Sequence, residues 1–286
     1  MVDLSLLSFV IFIILLASFI YYKRHKLLIS GILIMYKTER GKKHIDSVAK
    51  RWPRFWHYFG TVGAIVAIFA SIFIVYTLLV ATAGLVAGGP PALALVLPGT
   101  GYSQTPGVLF FPWYVWVIAI GIMFIPHELS HGVLCRRYGI KVKSVGLMLL
   151  AVLPGAFVEP DEKQLARSKL MNRLRIYAVG SFVNIITSLI FLAIIYAFVF
   201  AFQPVQSSTI MLHILNLFRA IFIVTLGVGL ANLLPIYPLD GGKFFHDIVA
   251  NYMNPKSAKR ITLGISVLLA FVIVFNIAAP LLGIFG

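Results

Sequence analysis

Charge is what this chain has least of. Only 12% of its 286 residues are charged, where a soluble domain carries about a quarter. With 60% of residues hydrophobic, the composition excludes an ordinary soluble globular protein and points to the membrane. Acidic residues are the scarcest class, with nine Asp and Glu against 24 Lys and Arg, a net charge of +15. Cys135 is the only cysteine, so an internal disulfide is excluded and the redox compartment is left open. A lone thiol at a helix end reads as packing. No internal repeat and no low-complexity tract is present.

Long apolar runs supply the rest. Spanning hydrocarbon takes ~20 consecutive apolar residues, and six segments approach that length, at about 4–22, 60–87, 113–135, 176–202, 215–236 and 261–286. The expectation is an all-α polytopic membrane protein of about six transmembrane helices forming a single domain over 1–286, with its core at about 113–250 and a small membrane-associated β or re-entrant segment. The first span opens with Asp3 and ends against Lys23, Arg24 and Lys26. That reads as a retained anchor (4–22) before a basic loop (23–58), and not as a cleaved signal peptide.

A charge of +15 invites a nucleic-acid reading, which its placement removes. Ten basic residues lie between 23 and 58, nine between 136 and 175, and four between 243 and 260; Arg219 is the remainder. The alternate connections 88–112 and 203–214 have none. This is the positive-inside pattern. It predicts both termini outside, basic loops in the cytoplasm, the lipid bilayer as a partner and no nucleic acid.

The loops are less explicit. Residues 36–58 are polar and basic, closing on Trp52, Phe55, Trp56 and Tyr58. They read as a juxtamembrane loop with an aromatic belt, with recognition of anionic lipid as the sharper alternative. The glycines and prolines of 88–112 argue against a regular helix, so a loop on or dipping into the outer leaflet is expected. The stretch 140–158 has too few apolar residues to span, and Pro154-Gly155 interrupt it. Short strands or a re-entrant loop are expected there, covered by protein or at the interface.

The chemistry is written at 127–131, His-Glu-Leu-Ser-His. Histidines at i and i+4 share one helix face, so both imidazoles reach one zinc ion while Glu128 reaches a water on it. Three ionisable side chains within five positions of an apolar span are a functional signal in themselves. From His127 to Arg136 is ~13 Å of helix rise, which places the site inside the membrane, nearer the basic side. Pro126 is expected to loosen or bend the helix. Catalytic zinc generally takes three protein ligands. The third candidate is Asp240, in Asn-Leu-Leu-Pro-Ile-Tyr-Pro-Leu-Asp-Gly-Gly at 232–242, where the prolines break the fifth span. Alone, Asp240 would read as a helix N-cap; beside the histidines it reads as a ligand.

These two motifs, in this order and about a hundred residues apart, resemble those of the site-2 protease family of intramembrane zinc metalloproteases, peptidase family M50. Gly180-Ser181-Phe182-Val183-Asn184 is similar to the family's central G-x-x-x-N element, and 154–159 resembles the segment after its membrane-associated strands. The resemblance implies one zinc ion per chain on His127, His131 and Asp240, with Glu128 as catalytic base. It also implies that Asn184 and Asn232 approach the site to orient substrate or stabilise the developing oxyanion. Many relatives carry Pro where this chain has Ser181. Many also insert a PDZ domain, for which the roughly 17 residues after Val158 leave no room. The implied substrate is a single-span transmembrane protein cut within its membrane segment. Two other readings share the histidine motif, a divalent-metal transporter and a catalytically inactive membrane scaffold. A transporter requires acidic or histidine ligands on a second span, and 4–22, 60–87 and 261–286 offer none. A peptidase of prenylated or soluble peptides would lack the Leu239-Asp240-Gly241 element.

Overall fold

The computed structural model describes residues 4–31, 33–99, 103–105, 107–150, 153–202 and 209–284. Six of its helices are long and apolar enough to cross a membrane. They are α1 (Leu4–Lys23), α3 (Pro53–Val86), α4 (Trp113–Arg137), α6 (Leu170–Ala201), α7 (Thr209–Ala231) and α9 (Pro255–Leu281). Three shorter helices lie between them, α2 (Arg40–Arg51), α5 (Glu162–Arg167) and α8 (Asp240–Tyr252).

Helix starts follow local chemistry. Proline sits in the first turn of α3 and α9, where its missing N–H costs nothing. Asn254 caps α9 through Ser257 N, and Asp161 caps α5 through the N–H groups of Lys163 and Gln164. The fifth span starts earlier than the sequence suggests and stops at Ala231, five residues short, because Pro235 and Pro238 follow. The second begins at Pro53 rather than residue 60, carrying its first turns of Arg54 and His57 past the apolar stretch.

Helix contacts rest on small residues. Gly60, Gly63, Ala64 and Ala67 form the buried stripe of α3, and Gly63 lies against Phe182 of α6. Close backbone approach is how helices gain packing where lipid removes the hydrophobic drive. Phe69, Ile72, Leu268 and Phe271 stand exposed on the outer faces, as lipid-facing positions should. α1 stays at the margin, touching the rest through Phe9 and Phe12 on Trp113 and through Phe19 on Tyr36.

The β content exceeds the sequence expectation. A four-stranded antiparallel sheet runs in the order β1 (Leu27–Ser30), β2 (Leu33–Thr38), β6 (Val142–Leu150), β7 (Leu153–Pro160). Short strands at 140–158 are as read, although residues 151–152 lie outside the described residues. Strand β2 was expected to be loop, yet it pairs Lys37 with Gly146 and Met35 with Met148. Such pairing is non-local, so no pattern within 36–58 announces it. The remainder of that stretch is α2, whose Ile45 and Ala49 are buried against α4 and α6. The proline-rich 88–112 holds no helix among its described residues. It forms β3 (Leu95–Gly99), β4 (Ser103–Thr105) and β5 (Val108–Pro112), with β5 central. Residues 100–102 and 106 of that loop, and 203–208 of the next connection, lie outside the described residues.

Candidate functional site

Three elements meet at one point. α4 brings His127 and His131, and α8 brings Asp240 as its first residue. One ligand atom from each lies within 4.8 Å of the others. Asp240 Oδ2 is 3.2 Å from His127 Nε2 and 3.1 Å from His131 Nε2. The alternative reading of Asp240 as an N-cap does not hold. Leu239 occupies that position, no side chain caps the helix, and the Asp240 carboxylate faces the histidines instead.

Helix α6 shapes the other side of the pair at every fourth residue. The Ile176 carbonyl accepts a hydrogen bond from His131 Nδ1 at 2.6 Å. The amide of Asn184 lies 3.1 Å from His127 Nδ1. Between them, Gly180 brings the backbone against both rings; a Cβ there would sit 2.7 Å from His127 Nε2 and closer still to His131 Nε2. Residues 176, 180 and 184 therefore match 131 and 127 across an antiparallel helix pair. A carbonyl on Nδ1–H leaves Nε2 as a lone pair, which is how ligating histidines are generally oriented. The Asn184 side-chain oxygen is buried with no partner among the described residues. Turning the amide over would put that oxygen on Nδ1–H of His127 and give it the same tautomer. Two such imidazoles and one carboxylate are the donor set that suits a catalytic zinc ion.

Asp240 owes its place to an unwound segment. After Ala231 the chain turns through 232–239, with a cis peptide at Tyr237–Pro238. Gly241 N donates to the Asn232 carbonyl at 2.7 Å. A side chain at Gly241 would strike the backbone of Leu233 and Leu234, and one at Gly242 that of Ile236 and Tyr237. The glycine pair thus lets α8 start directly under the broken span.

Glu128 lies beside these three side chains, its Oε2 accepting from Val158 N of β7 at 3.1 Å. With His131 and Asp240 it lines a cavity of about 660 Å³, whose walls include Val158, Tyr177 and His246. At its rim Lys37 of β2 and Ser144 of β6 both bond Glu159 of β7, at 2.7 and 2.5 Å. The Lys37 bond, with Ser144 adding to it, holds the Glu159 carboxyl below the usual carboxylate range. Beyond it, Arg173 bonds Asp247 at 2.5 Å and the Ser168 carbonyl at 2.8 Å, tying α8 to the start of α6.

The structure brings His127, Glu128, His131, Asp240 and Asn184 together. Asn232 contributes its backbone carbonyl; among the described residues its side chain has no hydrogen-bond partner and does not line the cavity. The sequence reading did not point to Ile176 or Val158, and it named Gly180 only as part of the G-x-x-x-N element. The four-residue spacing of Gly180 and Asn184 carried the signal that both face one side of α6. Carbonyl and amide groups of the main chain carry none.

Comparison with known proteins places the chain in a family. Residues 115–207 and 199–275, more than half of the chain, match the sequence profile of peptidase family M50. An uncharacterized protein of Methanocaldococcus jannaschii is 32% identical over 162 residues, 54% of this chain and 41% of that protein. A zinc metalloprotease of the same archaeon is 24% identical over 160 residues, 56% of this chain and 42% of that one. The chain spans about two fifths of the length of these curated relatives. Its match to the family and its six apolar helices make this a multi-pass membrane protein that belongs to peptidase family M50.

Proposed function

We propose that the chain is a zinc-dependent endopeptidase that cleaves single-span transmembrane proteins inside the bilayer. The observation that carries this reading is the convergence of His127, His131 and Asp240 from two helices, with Glu128 beside them on a shared cavity. Those three side chains would hold a zinc ion, which would supply Lewis-acid chemistry toward the scissile carbonyl and the attacking water. Glu128 takes the proton from the attacking water and returns it to the leaving amine. Its bond from Val158 N fixes which oxygen is free for that transfer.

Substrate placement follows from β7, an edge strand of its sheet. Val158 N–H turns away from β6 and toward Glu128. Backbone groups alternate along an antiparallel strand, so Ala156 presents its N–H and C=O on the same side. An unwound transmembrane segment adding along that edge has its carbonyls exposed beside the base. A helical carbonyl, already hydrogen-bonded, would not. The basic loops predict that the cavity opens to the cytoplasm, with both termini outside.

The test is cleavage of a detergent-solubilised single-span substrate by wild type, Glu128→Ala and Asp240→Ala, with zinc content measured for each. The proposal expects Glu128→Ala to keep zinc and lose cleavage by about 10²–10⁴-fold, and Asp240→Ala to lose both. Cleavage by Glu128→Ala near the wild-type rate would remove it as the base.

A further inference from the structure

A second pocket lies away from the metal ligands, at the basic end of the bundle. It has a volume of about 500 Å³ and is lined by Asp46 and Lys50 of α2, Pro53 of α3, Arg136 and Arg137 of α4, and Gly139. Two spanning helices, α3 and α4, begin and end there, so the pocket sits at headgroup depth. Exposed aromatic side chains mark the same level. Trp52 is 53% exposed, Phe55 53% and Tyr58 68%, and the Arg51 guanidinium lies over the Trp52 ring. Aromatic rings with one apolar face and one wet edge prefer this boundary.

The charges in the wall do not balance. Asp46 is consumed by Arg136, which reaches it through Nε and, at 3.1 Å, through Nη2. Arg137, also in the pocket wall, gives Nε to the Pro53 carbonyl at 2.8 Å and lies over the Tyr138 ring at 5.8 Å, with no carboxylate paired to it among the described residues. Lys50 is exposed and has no partner among the described residues. Two cations thus stand without an anion, around a space the size of a headgroup.

From this we infer that the pocket binds the phosphate of an acidic phospholipid. The lipid's chains lie along the exposed faces of α3, and the phosphate bridges Lys50 and Arg137. The site bears on the metal centre through one contact. Ile45, on the buried face of α2, packs against Gly132, the residue after His131. A lipid that holds α2 down therefore holds the part of α4 that carries the histidines.

The experiment uses the full chain, purified in neutral detergent and stripped of lipid. Phosphatidylcholine or phosphatidylglycerol is added in micelles, and bound lipid is counted by native mass spectrometry. Phosphatidylglycerol should bind more tightly. Lys50→Ala, a side chain that holds nothing else, should weaken it about five-fold, and Lys50→Ala with Arg137→Ala about 25-fold, from ~1 kcal/mol per basic residue near a membrane surface. Lys256→Ala with Lys259→Ala, exposed at the start of α9 on the same basic end, should change it little. Equal affinities in wild type and Lys50→Ala would overturn the site. So would an equal loss in the Lys256/Lys259 variant, which would reduce the effect to general attraction. Inorganic phosphate raising the unfolding temperature as much as phosphatidylglycerol would overturn the lipid as the ligand.

Discussion

At the scale of single residues, the two histidines are held by different means and should fail differently. His131 leans on a main-chain carbonyl that no substitution removes. His127 leans on the Asn184 side chain. Asn184→Ala should therefore weaken zinc binding about 10–100-fold, the usual cost of losing an outer partner of a ligating histidine, while leaving Glu128 able to act once zinc is saturating. Competition with a chromophoric chelator measures this directly. Gly180→Ala is harsher, because its methyl would occupy space the two imidazoles now fill. Its expected outcome is a folded helical protein without metal, checked by circular dichroism beside zinc content. The G-x-x-x-N element drew attention to Asn184, and the resemblance gave it a role toward substrate or oxyanion; what the structure adds is its amide 3.1 Å from His127 Nδ1.

At the scale of elements, α8 owes its position to Arg173. The guanidinium links Asp247 to the carbonyl of Ser168, and Asp247 is two turns from Asp240 on the same short helix. Arg173→Asp should lower zinc affinity at least ten-fold, and combining it with Asp247→Arg should restore most of it. A purely general loss of stability would not be rescued by the swap. The sheet has its own signature in pH. Glu159 has a folded pKa depressed by Lys37 and Ser144, below an unfolded value of ~4.3. Its contribution is present above that value and fades as pH falls through the folded one. The unfolding-temperature gap between wild type and Glu159→Gln should then be largest near neutrality and close as pH falls below the usual carboxylate range. It should be small throughout, at most about 1 kcal/mol, because both partners are more than a third exposed and solvent screens the pair.

For the whole molecule, the proposed metal ligands join α4 to α8 across about a hundred residues of chain, so zinc should act as a staple. A ligand at a hundred times its Kd stabilises by about 2.7 kcal/mol. Chelation should lower the unfolding temperature of wild type by several degrees and leave Asp240→Ala unmoved, as read by thermal unfolding in detergent.

What the sequence determined by itself was whatever depends on local pattern. Six apolar runs, a basic bias in alternate loops, histidines four apart, and an aspartate before two glycines are each complete within a short window. The physics that reads them, hydrocarbon thickness and helix period, needs no partner. The tertiary structure decided what depends on residues far apart meeting. Strand β2 exists because β6 offers it a ladder, and the apolar run from Leu33 to Tyr36 does not by itself say which strand it will pair with. Val158 N–H faces Glu128 because β7 is the last strand of its sheet. Gly180 is a glycine because two imidazoles from another helix arrive there. Main-chain groups and close approaches have no residue code of their own, so only the folded chain could place them.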